Sequence, residues 1–545
     1  MSRVEKSTEK STFTPLAVCV LTASLFASPV VAQQAAPKVE TEVTHESPDY
    51  PSGPPYSVLT QEGFPYRDVV KELQNKTTGT YTVTATGDVF WKFPVVQRMS
   101  PQFRDLLRNA DTTVGNLEGG MSGHPQDRAK DLAELGFDLL ANGEDDSVEG
   151  YEARAKYLAP LGIKVAGAGL NLAEARLPVF QETPKGMAAL LSACPGTRLC
   201  GDTATNASDR RPAMAGVNQL GLTVWNTVTA EQFKQLQAIR DSILARRTEP
   251  HVLVPSADPP AEKPGRLVLF GQNYMVADKP GNIHYELDPA SEQRQTLDVR
   301  NTKEFADFVM FHMHDHHNRY SFQWYTLDNY PVDYMQPFLH KLIDNGLDMY
   351  VGSGNHTMQG IEIYKGRPIF YNLGNLGRDT NRRVDNPPGG GRADEGGDIR
   401  VRAVQMTGTE RLEQGRNPVS WNDISSSAYI ANSTYKDGRL VEIRLYPVDI
   451  GLGERPWSRE HIPLTPTPER AQLILKRLQI FSEPFGTKIS IENNIGIIRV
   501  PPEATVEVGG DIAIPGRGRG TAPYGEAPPP VKWKQGVGPP RERPN

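Results

Sequence analysis

Oxygen and imidazole side chains stand at the ends of short β-rich stretches of this sequence. Asp88 closes the stretch that begins at Tyr81, and Asn116 and Glu118 follow Thr112-Thr-Val-Gly. His312 and His314 lie in the run His312-Met-His314-Asp315-His316-His317, after Phe308-Val-Met-Phe, and His356 comes shortly after Asp348-Met-Tyr-Val. Six of the eleven histidines fall between His312 and His356. Carboxylates, an asparagine and histidines are the ligand types of a zinc, manganese or iron site. One or two such ions can activate water near neutral pH and clamp a phosphoryl or acyl centre. His312 and His314 are two apart on an extended segment and so face the same side. Each residue alone has a plainer reading: Asp88 as a turn residue, Asn116-Leu-Glu118 as a helix cap, the histidines as a surface cluster. His316 and His317 read as loop residues, His340 as part of a helix and His124 as part of a loop. No nucleophile-elbow, Walker, H-E-x-x-H or C-x-x-C pattern offers a rival chemistry.

The elements that must position these residues alternate between strands and helices. Strands are expected around Tyr81, Thr112, Phe137, Ile163, Phe308, Asp348 and Pro368, with helices at residues 101–109, 129–135, 149–161 and 337–345. Asn171-Leu-Ala-Glu174 reads as a capped helix start. Such alternation predicts an α/β layered domain, in which ligands sit beyond the carboxyl ends of the strands.

The chain has 545 residues, 59 basic and 65 acidic, for a net charge of −6. That balance suits a globular protein and gives no basic tract for nucleic acid. Residues 1–32 combine a weakly positive start, an apolar stretch and small residues before Gln33, and read as a signal peptide; an uncleaved membrane anchor is the alternative. No other stretch is long and apolar enough to span a bilayer, so the mature chain is expected to be exported, to the periplasm or the cell exterior. Cys194 and Cys200 then form the one remaining pair, read as a disulfide closing a short loop, with two free thiols as the alternative. Residues 33–79 form a Pro-rich arm, and residues 386–397 a flexible loop. The last 45 residues, 501–545, hold ten prolines and eight glycines and are expected to be disordered.

Taken in order, the motifs resemble the bacterial capsule-synthesis CapA family, associated with poly-γ-glutamate. They are Gly87-Asp88, Asn116-Leu-Glu118-Gly, Phe137-Asp-Leu-Leu-Ala, Gly167-Ala-Gly with Asn171 to Pro178, Gly216-Val-Asn218, His312-Met-His314-Asp315, and the long run from His356 to Asn375. The resemblance spans residues 80–500. It implies a four-layer metallophosphoesterase-like sandwich, two packed mixed sheets flanked by helices, with a divalent metal centre of one or two ions (Mn, Zn or Fe). Carried over by motif, Asp88, Glu118, His314 and His356 are the metal ligands, His312 is the first histidine of a His-x-His variant, and Asn116 and Asn142 are supporting residues. Two departures stand out. The family's Asn-Asn-His segment reads Asn142-Gly143-Glu144-Asp145-Asp146, without a histidine, and one histidine of the later motif is Ser353. Glu144 or its acidic neighbours could supply a replacement oxygen.

The implied function is an exported metal-dependent hydrolase of an envelope polymer, with His312 or Glu144 carrying protons. The implied partner is an anionic polymer or its synthesis machinery. The alternative is an accessory protein that keeps the fold and binds polymer without turnover. A nucleotidase-like phosphoesterase is a third reading.

Overall fold

A computed structural model describes residues 69–91, 94–121, 124–143, 147–196, 200–248, 263–319, 330–377, 421–451 and 461–506. Residues 1–32 and the loop 386–397 lie outside the described residues, as do most of 33–79 and 501–545. No described helix is long and apolar enough to cross a membrane.

Among the described residues the first sheet has nine strands. At its centre Thr80–Val89 runs parallel to Thr112–Leu117, which is followed outward by Leu139–Ala141 and Lys164–Ala166, all parallel. On its other side Thr80–Val89 pairs antiparallel with Ser427–Lys436, which forms a long hairpin with Arg439–Asp449. The hairpin turn carries Asp437 and Gly438, both at positive φ, as the tight turns that match strand twist require. The second sheet has seven described strands around Phe308–Asp315, which lies parallel to Gly186–Pro195 on one side and to Met349–Gly354 on the other.

Period-two alternation assigns the layers. Tyr81, Val83 and Ala85 of the first sheet share one apolar cluster with Phe308, Met310, Met349 and Val351 of the second, so this is the space between the sheets. The alternate residues Val309, Phe311 and Met313 pack outward with Phe338 and Leu339 of the helix Met335–Asp344. On the far side, Leu117, Leu140 and Ile430 pack with Phe103 and Leu107 of Pro101–Arg108 and Leu132 of Pro125–Glu134. The result is helices, sheet, sheet, helices, the layered sandwich that the resemblance implies. Parallel strands need crossovers, and the helices supply them.

The expected strands and helices are present, with shifted ends. The histidine-bearing strand runs on through Asp315, so His312 and His314 are part of it rather than its sequel, and His316 and His317 follow it. Asn171 caps its short helix, its side chain accepting from the Glu174 amide. Sequence reading did not anticipate a small four-stranded sheet, Arg266–Leu269, Gln272–Val276, Leu222–Val228 and Ile283–Leu287, on which Phe233 of the helix Ala230–Ala245 packs.

Candidate metal centre

Asp88 ends the first strand at an irregularity in its pairing, between Asp88 and Val89. Gly87 makes this possible: a Cβ there would lie 1.8 Å from the Gly374 carbonyl oxygen, so no other residue fits. Asn116 sits beside Asp88 in parallel register and donates from Nδ2 to Asp88 Oδ1 at 2.9 Å. The same Nδ2 stands 3.0 Å from His314 Nδ1, joining the first sheet to the second. Glu118 follows two residues later and enters a turn through Gly119 and Gly120, both at positive φ. The fully buried Arg128 holds this turn. Its guanidinium donates to the carbonyls of Val89 at 2.8 Å and Glu118 at 2.9 Å, and to that of Gly120.

Even-numbered residues of Phe308–Asp315 face the space between the sheets, which brings His312 and His314 inward. His356 arrives from Met349–Gly354 at a φ of 59°, a conformation disfavoured for a side chain this large. Asn375, the register partner of Asp88 on its other side, fixes it: Asn375 Oδ1 lies 2.9 Å from His356 Nδ1, and Asn375 Nδ2 donates to the His356 carbonyl at 3.3 Å.

Asp88, Glu118 and His356 therefore converge, with ligand atoms all within 4.8 Å of one another. His356 Nδ1 is 3.4 Å from Asp88 Oδ2, and its Nε2 is 3.4 Å from Glu118 Oε1. His314 Nδ1 lies 4.0 Å from Asp88 Oδ1, and its Nε2 faces His316 Nε2 at 2.8 Å. The His316 ring stands 5.5 Å from the His356 ring, so His316 closes the cluster from the strand's far end. Two imidazole nitrogens cannot face each other at 2.8 Å with both lone pairs inward; a proton or a cation must lie between them.

His312 is placed apart from this cluster. Its Nδ1 is 3.1 Å from the Ser192 hydroxyl and its Nε2 is 2.9 Å from the Ser353 hydroxyl. Burial, with the neighbouring His314, pushes its pKa down to about 3, so the ring is neutral at pH 7. Asn142 is buried at the end of Leu139–Ala141, and a Cβ on Gly143 beside it would lie 2.9 Å from the His314 Cβ. This segment backs onto the histidine strand. Glu144 lies outside the described residues. Cys194 and Cys200 are joined as a disulfide.

The donor set suits a divalent cation: Asp88, Glu118 and His356 are buried with ligand atoms close enough to share one ion, and the imidazoles of His314 and His316 stand beside them. Asn116 Oδ1 adds a buried oxygen with no hydrogen-bond partner among the described residues. Burial would raise the Asp88 carboxyl, but the hydrogen bond and charge of His356, with His314 and Asn116, hold it well below the usual carboxylate range. It is an anion at neutral pH, as a ligand must be.

The model of the bacterial capsule synthesis protein PGA_cap matches residues 82–380, a span that contains every residue of this cluster. The chain belongs to that family. An uncharacterized protein of Sinorhizobium fredii, y4sH, is 32% identical over 475 residues, covering 79% of this chain and 96% of its own. The PGA biosynthesis protein CapA of Bacillus subtilis is 33% identical over 79 residues, 14% of this chain and 18% of its own. Among solved structures, a putative 5'-nucleotidase from Staphylococcus aureus in complex with α-ketoglutarate aligns at 8% identity and a TM-score of 0.29, over 73% of this chain and 58% of that one. Within this PGA_cap member, His316 and Asn375 are the site residues that sequence reasoning did not assign. Asn375 was visible as the end of the long His356 motif, and His316 as one of a histidine run, but neither position announces its partner.

Proposed function

We propose that this chain is an exported, metal-dependent hydrolase acting on an anionic envelope polymer or phosphoester in capsule synthesis. One observation carries the reading: carboxylates from one sheet and histidines from the other share a buried cluster at the strand ends. Asp88, Glu118, His314 and His356 would hold one or two divalent ions, with His316 as a further donor. Such an ion supplies Lewis acidity and lowers the pKa of water. The chain's own residues do the positioning. Asn116 orients Asp88 and His314, Asn375 orients His356, and Arg128 fixes the Glu118 turn. His316, the partly exposed member, is placed to move a proton at Nε2. Among the described residues His312 is hydrogen-bonded to the Ser192 and Ser353 hydroxyls, through which it would exchange protons, and Glu144 remains a candidate proton carrier. The test is turnover of phosphodiester and γ-glutamyl substrates by the manganese-, zinc- or iron-loaded chain. Activity is expected to fall at least about 100-fold in Glu118→Gln; equal rates in both proteins would refute the assignment.

One observation favours a second reading. Ser353, where the family resemblance expects histidine, bonds to His312 and keeps both out of the cluster. An accessory protein would then bind polymer and metal but give no turnover in the same assay. Export is proposed from residues 1–32 together with the disulfide. Recovery of the chain outside the cytoplasm, beginning near Gln33, is the expected result; a cytoplasmic chain starting at Met1 would contradict it.

A further inference from the structure

A cavity of about 170 Å³ lies at the opposite end of the sandwich from the metal cluster. The cluster sits where the parallel strands end; this cavity sits where they begin. Asp348 immediately precedes Met349–Gly354, and Arg367 opens Arg367–Phe370. Tyr435 comes from the end of Ser427–Lys436 in the first sheet, Arg439 from the start of its hairpin partner Arg439–Asp449, and Asn75 and Thr505 from the segments flanking the sandwich.

Five of these wall residues carry a buried side-chain atom with no hydrogen-bond partner among the described residues: Asn75 Nδ2, Asp348 Oδ1, Arg367 Nε, Tyr435 Oη and Thr505 Oγ1. Buried polar groups are normally satisfied, and a concentration of orphans around one cavity is the pattern that a polar occupant would complete. Four of the five can donate. The rest of Arg367 is already used, Nη1 on the Lys365 and Val506 carbonyls and Nη2 on Gln74 Oε1, which leaves Nε, near Asp348 Oδ1 but without a hydrogen bond, at the cavity wall.

Charge points the same way. Two buried cations, Lys303 and Arg367, surround one buried carboxylate: Lys303 Nζ is 2.6 Å from Asp348 Oδ2, and Arg367 Nε is 3.8 Å from Asp348 Oδ1. Both cations are pushed down by burial, and each gains from added negative charge. At the rim, Asp437 and Arg439 offset one another. Asp348 Oδ1 is the one orphan that can only accept, so the occupant must bring a donor as well as an anionic oxygen.

We propose that this cavity is a second binding site, for a small oxyanion that also carries a hydrogen-bond donor, such as hydrogenphosphate or an amino or hydroxy carboxylate. Arg367 and Asn75, with the Tyr435 and Thr505 hydroxyls, take the anionic oxygens, and Asp348 takes the donor. The site is independent of the metal reading. The test is calorimetric titration of the full chain, treated with chelator, using phosphate, sulfate, glycine, lactate and acetate. Phosphate, or glycine and lactate, are expected to bind saturably and raise the melting temperature, with sulfate and acetate about tenfold weaker. Phosphate alone identifies an inorganic ligand; glycine or lactate alone identifies a carboxylate one. Binding should persist in His356→Ala and weaken about tenfold or more in Arg367→Gln. Asn75→Leu and Thr505→Val, at less buried wall positions, should weaken it even if the arginine variant fails to fold. No binding by any probe, or binding lost in His356→Ala and retained in the wall variants, would overturn the proposal.

Discussion

The two histidines of the His-x-His pair lie on one face of one strand and have different surroundings. His314 stands among Asn116, Asp88 and His316, whereas His312 is enclosed by the Ser192 and Ser353 hydroxyls. Replacing His312 by Gln or Ser353 by Ala should therefore cost about 1–3 kcal/mol of stability through unsatisfied buried groups, yet leave metal content unchanged. Urea denaturation and metal analysis of the same samples check both halves. Asp138 makes a pH-dependent contribution of its own. Burial raises its carboxyl to about 6 despite the hydrogen bond from the Thr113 amide. A carboxyl whose pKa is higher folded than unfolded favours the folded state while protonated. That contribution is complete below about 4 and disappears as pH rises through about 6, worth roughly 2–3 kcal/mol. Asp138→Asn should flatten the stability profile across that window; an unchanged slope would contradict the assignment. At this scale the sequence was informative where a residue ended a strand, as with Asp88, Glu118 and His356. It was silent where a role depends on a partner distant in sequence, as with His316 beside His356, Asn375 holding His356 from the other sheet, and the bond that Ser353 makes to His312.

Two elements aim the cluster. One is the end of Thr80–Val89, where Gly87 lets the strand pass the Gly374 carbonyl before Asp88 turns inward. Gly87→Ala should destabilise the chain by about 3 kcal/mol or more, because backbone and not a side-chain tip blocks the added carbon. The other is the Glu118 turn. Arg128→Met removes donors to three carbonyls and is expected to weaken metal affinity about 10–100-fold, with a smaller effect on anion binding at the distant cavity. Competition with a metallochromic chelator measures it. The parallel strands were legible from their apolar runs and from the polar residues that end them. The hairpin Ser427–Lys436 and Arg439–Asp449 also carried its signal, alternating residues around Asp437-Gly438, though the reading did not use it. The small sheet between Leu222 and Leu287 was not legible, since its short strands bury little and its exposed positions include Val268 and Phe270.

Across the whole molecule, the family match ends at residue 380, but the first sheet is completed by strands beyond it. Ser427–Lys436 pairs with the central strand from Thr80 to Ala85, the part that leads into Asp88, so these later strands belong to the same cooperative unit as the site. Reduction of the Cys194–Cys200 disulfide, a closure of sequence separation 6 behind the histidine strand, should cost roughly 2 kcal/mol and lower the melting temperature without unfolding the chain at 25 °C. The layered order was readable from strand–helix alternation, whereas the pairing of the sheets that brings Asp88 to His356 is a long-range fact no local pattern contains. That pairing is tested most directly by mass-spectrometric metal analysis of the purified full chain beside Glu118→Gln and His356→Ala. The expected result is one or two equivalents of a transition metal in the parent and a marked loss in both variants with the fold intact. A parent that holds no metal after loading, or variants that hold as much as the parent, would contradict it.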